Sequence, residues 1–235
     1  MKKASMTFIG CDKEYEDAEI VLFGAPFDGT TSYRPGTRFA PAAIRNESYG
    51  IETYSPYQDI DLETIHVFDS GDLELPFGNT QRVLDLIEAR TSHILQDGKL
   101  PFMIGGEHLV TLGAMRAIHQ AYPEVHIIQF DAHADLREDY LGEKLSHACV
   151  MRRIWDMVGD GHLYQFGIRS GERSEFAFAK HHTYMCRYDT HTLLDVVAQL
   201  QNVPVYVTLD LDVLDPSLFC GTGTPEAGGI LYQEM

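Results

Sequence analysis

Three short stretches of the chain concentrate side chains able to hold a divalent cation. Asp131-Ala-His-Ala-Asp135 follows the apolar run His126–Phe130, Asp210-Leu-Asp212 follows VPVYVTL, and Gly105-Gly106-Glu107-His108 follows LPFMI. In an extended chain residues i, i+2 and i+4 point to one side, so Asp131, His133 and Asp135 are expected to converge. Carboxylates gathered at the rim of a core repel one another, and a divalent cation removes that cost. His108, Asp131, His133, Asp135, Asp210 and Asp212 make four carboxylates and two imidazoles. That set is too large for one structural zinc and contains no thiolate. It suits a pair of Mn²⁺ ions, with Co²⁺, Ni²⁺ or Fe²⁺ as alternatives. Ions ~3.5–4 Å apart would need some of the Asp residues as bridges.

The remaining histidines carry no such signal. His66, His93, His119, His126, His162, His181, His182 and His191 have no partner at ligand spacing and read as satisfied structural residues. Cys11, Cys149, Cys186 and Cys220 lie far apart without a CxxC pair. The expectation is reduced, mostly buried thiols with no zinc or disulfide role.

The elements that must position the six candidate ligands follow from periodicity. Strands are predicted at Glu19–Gly24, Thr64–Phe68, Leu100–Ile104, His126–Phe130, His162–Ile168 and Val203–Leu209, with a weaker one at Thr183–Tyr188. Helices are predicted over Thr80–Leu95, His108–Tyr122, Ala148–Val158 and Thr190–Leu200, and a helix-like AAIRNESYG follows the loop Ala25–Pro41. Strand and helix in alternation imply βαβ units and a parallel sheet covered on both faces. Ligands of such sheets bind beyond the carboxyl ends of the strands, which is where all three stretches lie. No repeat or linker interrupts the pattern, so residues 1–235 read as one domain.

Composition is ordinary for a globular protein, with 44% apolar and 23% charged residues. The net charge of −17 disfavours nucleic acid and anionic membrane surfaces and favours cations. No apolar run is long enough to span a bilayer, and the opening MKKASMTFIGCDKEYEDAE lacks a signal-peptide pattern. A cytoplasmic location is expected.

GGEHL (105–109), FDAHADLR (130–137), SHACVMRR (146–153), GIRSGE (167–172), TLDLDVLDPS (208–217) and GTGTPEAGG (221–229) occur in this order. Together they resemble the successive signatures of the ureohydrolases, the family of arginase, agmatinase and formimidoylglutamase. The resemblance runs from about Phe8 to the last residue and implies a three-layer α/β/α sandwich around a central parallel sheet, the arginase/deacetylase-like fold. It implies two Mn²⁺ per subunit. One would be held by His108, Asp131, Asp135 and Asp210, the other by Asp131, His133, Asp210 and Asp212. His147 matches the family's proton-relay histidine, with capping of the following helix as its other reading. Ala148 stands where the family usually has Gly. The resemblance further implies a homo-oligomer, trimeric or hexameric. The family pattern continues with a helix, a strand and a final helix, so the chain reads as truncated at its C-terminus. The acidic residue that pairs with the substrate guanidinium lies on that strand; Glu226 and Glu234 come too early in the pattern to replace it.

A guanidinium carbon is a poor electrophile, so attack needs hydroxide, which two divalent ions can generate near neutral pH. The amine leaves only once protonated, which calls for an acid such as His147. Leu136–Leu145 lacks the Asn- and Ser-rich loop with which arginase holds an amino acid, whereas 27–45 is closest to agmatinases. The expected reaction is hydrolysis of agmatine to putrescine and urea. Guanidinobutyrate, formimidoylglutamate and arginine are alternative substrates, and a non-catalytic metal-binding homologue is the alternative from another class. An anionic substrate tail would call for a cation; Arg137 is the candidate, unless it is a solvated loop charge.

Overall fold

The apolar, β-branched run Ile20–Gly24 forms strand β1, and its Val21 and Phe23 are fully buried. A computed structural model describes all residues, 1–235. The chain divides into two compact units, one comprising Met1–Gly29 and Gly36–Ala117, the other Thr30–Pro35 and Ile118–Met235.

In the first unit β1 is followed by helix α1 (Ala40–Ser48), the short strands β2 (Tyr54–Ser55) and β3 (Ile60–Asp61), strand β4 (Val67–Asp72), helix α2 (Thr80–Gln96), strand β5 (Leu100–Ile104) and, as far as Ala117, helix α3 (Val110–Ala121). The sheet has the order β4-β1-β5, all parallel, while β2 and β3 pair as an antiparallel hairpin. Asn79 caps α2 by accepting from the Arg82 N–H at 3.0 Å. The inward stripe of α2 is Val83, Leu84, Ile87 and Ile94, all fully buried, as its helical spacing predicts. Each such side chain contributes about 1.5–3 kcal/mol by leaving water. A buried ion pair supports the end of β4: Arg45 donates to Asp69 at 2.8 and 3.0 Å and also contacts Asp72.

The second unit contains strand β6 (His126–Phe130), helix α4 (Val150–Val158), strand β7 (Leu163–Ile168), helix α5 (Arg173–His182), strand β8 (Tyr184–Arg187), helix α6 (Leu193–Gln199) and strand β9 (Val205–Leu209). Its sheet runs β8-β7-β6-β9, again all parallel. Ile128, Phe166, Cys186, Val196 and Leu200 form one buried cluster, joining strands β6, β7 and β8 to the α6 region. The α/β alternation thus holds in both units, each with its own parallel sheet.

Three details depart from the expectations. α5 was not anticipated; its start is fixed by a capping box in which Glu172 and Glu175 each accept from the other's backbone N–H. β4 begins later and runs further than Thr64–Phe68, because Leu62–Thr64 is a 3-10 turn closed by Asp61. α3 starts at Val110, not His108, leaving His108 on the loop after β5.

Candidate metal centre

The ligand-rich loop after β6 is an extension of parallel pairing beyond the strand ends. Asp131 N–H donates to Phe166 O at 3.1 Å, Arg169 and Ser170 N–H to Ala132 O at 2.8 and 2.9 Å, and Ala134 N–H to Ser170 O at 3.1 Å. Ala132 and Ala134 are fully buried, so their small size lets the loop lie against its neighbours. Asp131 and His133 keep the alternation expected of an extended chain. Asp135 leaves the extended backbone: its φ of 53° is left-handed, so a turn and not strand alternation orients its buried side chain.

Asp131, His133 and Asp212 bring one donor atom each within 4.8 Å of one another. His133 Nδ1 lies 3.0 Å from Asp212 Oδ2 and 3.5 Å from Asp131 Oδ1. Both carboxylates are almost wholly buried, whereas His133 is partly open to solvent. Asp210 enters from the end of β9, its backbone N–H bonded to Phe130 O at 2.9 Å, and its carboxylate accepts from Asp212 N–H at 3.0 Å. Asp212 Oδ1 in turn accepts from Ala132 N–H at 3.1 Å. Two strand ends of the second unit thereby carry five of the six predicted ligands. His108 is buried in the first unit, on the loop after β5. Gly106 makes that loop possible, because a Cβ there would sit 2.0 Å from Phe27 O.

The protonation equilibria show the strain of an ion-free carboxylate cluster. Burial raises the Asp212 pKa, and the charge of Asp131 raises it further, to about 6. Burial alone would lower His133, but its hydrogen bonds to Asp131 and Asp212 outweigh that and lift it to about 12. A proton on His133 thus stands in for positive charge that the donor set demands. Two buried carboxylates and an imidazole match a divalent cation of the Mn²⁺ to Zn²⁺ series.

Several supporting residues escaped the sequence analysis. Gln129 and Gln165 are register partners on β6 and β7 and are fully buried. Thr183 donates to Gln165 at 2.9 Å, Gln165 to Gln129 at 2.7 Å, and Gln129 to Asp131 Oδ2 at 2.8 Å. This polar chain beneath the loop fixes the Asp131 carboxylate. Its signal was a Gln at matching positions of two otherwise apolar strands. Arg169 donates to the carbonyls of Asp212 at 2.7 Å, Val213 at 3.1 Å and Glu226 at 2.8 Å, tying three segments together. Glu226, dismissed for its place in the family pattern, accepts from Ser170 at 2.8 Å and lies 3.7 Å from His133 Nε2. It is a half-exposed carboxylate at the same rim. Glu234 instead accepts from Thr190.

His147 opens a 3-10 turn ahead of α4. Its N–H donates to Thr30 Oγ1 at 3.0 Å, and its ring nitrogens lie 3.3 Å from Thr30 Oγ1 and 3.2 Å from Ser32 Oγ. Tyr140 meets the ring edge-on at 5.9 Å. Hydroxyls can donate or accept, so either ring nitrogen is able to carry the proton. Arg137 is neither a free cation nor a solvated one: it pairs with Glu172 at 3.1 Å and the buried Glu175 at 3.4 Å, and it stacks on Tyr140.

The Arginase family model matches residues 18–235. The agmatinase of Bacillus anthracis is 49% identical over 230 residues, covering 97% of this chain and 79% of that protein. A solved structure assigned as an agmatinase from Clostridium difficile superposes with a TM-score of 0.92 at 53% identity, covering 94% of this chain and 81% of the other. The agmatine ureohydrolase structure from Thermoplasma volcanium gives a TM-score of 0.89 at 34% identity, with coverage of 98% and 80%. A match of this extent establishes that the protein is an enzyme of the arginase family, with its α/β fold and ureohydrolase chemistry.

Proposed function

We propose that the protein hydrolyses agmatine to putrescine and urea with two Mn²⁺ ions per subunit. The observation that carries this reading is the Asp131–His133–Asp212 group, in which one donor atom of each residue lies within 4.8 Å of the others between two buried carboxylates. The agmatinases among its relatives support the substrate. His108, Asp131, Asp135 and Asp210 are assigned to one ion, and Asp131, His133, Asp210 and Asp212 to the other, following the family motifs. Bound ions of this kind supply hydroxide near neutral pH and offset developing negative charge. Gln129 and Arg169 hold the ligand loops still, so that no reorganisation accompanies reaction. His147 delivers a proton to the departing amine nitrogen, and the Thr30 and Ser32 hydroxyls keep its ring oriented. Pairing of Arg137 with two glutamates removes the cation that an anionic substrate tail would need, which favours a cationic substrate such as agmatine.

Because the family match runs through both compact units, we read 1–235 as one domain, acting as a cytoplasmic homo-oligomer, trimeric or hexameric. No helix is long and apolar enough to cross a membrane. The test is urea release from agmatine, arginine and guanidinobutyrate by the Mn²⁺-loaded protein. Agmatine should be the preferred substrate, and Asp212→Ala should abolish turnover. Preference for arginine or guanidinobutyrate would overturn the substrate assignment, and metal uptake without turnover of any of the three would overturn the catalytic one.

A further inference from the structure

The turn after β8 holds a second group of metal-binding side chains, separate from the rim of β6 and β9. Cys186 Sγ lies 3.3 Å from Asp189 Oδ1 and 3.6 Å from His191 Nδ1, and the carboxylate and imidazole touch each other. All three donor atoms fall within 4.8 Å of one another. We propose that Cys186, Asp189 and His191 form a mononuclear site for a divalent ion of the zinc class, independent of the agmatine-hydrolysing centre.

The two contacts of the sulfur fit that chemistry. Tetrahedral bonds of ~2.3 Å to sulfur and ~2.0 Å to nitrogen or oxygen place such donors ~3.5 Å apart, as the two sulfur contacts already are. One thiolate and one carboxylate match the charge of a divalent ion. The mixed S, N, O set selects Zn²⁺ over the Mn²⁺ that an oxygen-rich site prefers. The three protein ligands leave a fourth position for water, on the side where Asp189 and His191 are exposed.

The frame of the site is built. Cys186 is buried in the β6–β7–β8 cluster, so its sulfur is held from below. Tyr188 takes a left-handed φ of 73°, an uncommon conformation for a bulky residue that turns Asp189 back over the strand end. Gly167 N–H donates to Asp189 O at 3.1 Å and Tyr188 N–H to Ile168 O at 3.2 Å, fastening the turn to β7. Burial raises the Cys186 thiol pKa, and Thr192 beside it acts in the opposite direction. Bound metal would supply the positive charge that deprotonates the thiol. The ligand order Cys-x-x-Asp-x-His has no CxxC signature, which is why spacing gave His191 no partner and the cysteines no zinc role.

Cobalt(II) reads this site selectively, because only a thiolate ligand gives a near-ultraviolet sulfur-to-cobalt charge-transfer band and the agmatine-site donors include no sulfur. The full-length chain is titrated with cobalt(II) alongside Cys186→Ser, His191→Ala and Cys220→Ser, the last removing the exposed thiol. The band is expected in the parent and in Cys220→Ser, and its loss in Cys186→Ser and His191→Ala. His191 is exposed, so its variant keeps the test valid should the buried Cys186→Ser fail to fold. Cobalt bound without the band, or a band that survives His191→Ala or Cys186→Ser, would overturn the site and leave these contacts as a hydrogen-bonded turn.

Discussion

His133 sits where two buried carboxylates compete for one positive charge, and that fixes how metal affinity responds to pH. With its folded pKa raised to about 12 by hydrogen bonds that outweigh burial, the imidazole of the ion-free protein is protonated throughout the physiological range. A histidine ligand must be neutral, so binding an ion there expels a proton. The sign is therefore definite. Protonated His133 stabilises the ion-free fold fully below its unfolded value of 6.5, a contribution that declines as pH rises above that value and is gone beyond about 12, while metal affinity climbs with pH. One proton released per ion predicts about a tenfold gain in Mn²⁺ affinity per pH unit. Calorimetry between pH 6 and 8 in buffers of different ionisation enthalpy checks both the slope and the proton count. A flat affinity with no proton release would remove His133 from the ligand set. His133→Asn should abolish the release even if some metal still binds.

At the scale of elements, the site depends on how closely β7 and the segment after β9 approach the Asp131 loop. Gly167 has φ of 82°, and a Cβ on it would meet Val213 Cγ2 at 2.5 Å and Asp131 O at 3.1 Å. Gly167→Ala combines a left-handed backbone cost with overpacking, and is expected to lose about 3 kcal/mol of stability and to weaken metal binding. Urea denaturation with a parallel Mn²⁺ titration measures both; unchanged stability would show that Val213 moves aside freely. Much of this arrangement was legible beforehand. Leu100–Ile104 and His126–Phe130 form strands over the predicted residues, and α2 buries the predicted stripe, because apolar period and burial coincide there. α5 was missed since its sequence RSEFAFAKHH has a weak stripe and buries only Glu175 and Ala179. The clustering of Asp131, His133 and Asp212 was legible because carboxylates placed after apolar runs converge at the strand ends. The Gln129–Gln165 chain, Glu226 and the Cys186 turn were not, since each depends on side chains meeting across strands or loops that spacing along the chain does not encode.

For the molecule as a whole, the net charge of −17 draws cations toward the protein and keeps copies apart at low salt. Salt should therefore promote association of copies, by screening the charge that opposes it, and weaken the capture of Mn²⁺ from solution, by screening the charge that attracts it. Light scattering and a Mn²⁺ titration, each at low and at raised salt, check the two effects separately. An Mn²⁺ affinity that stays constant as salt rises would show that metal capture depends on the ligands alone and not on the field of the whole molecule.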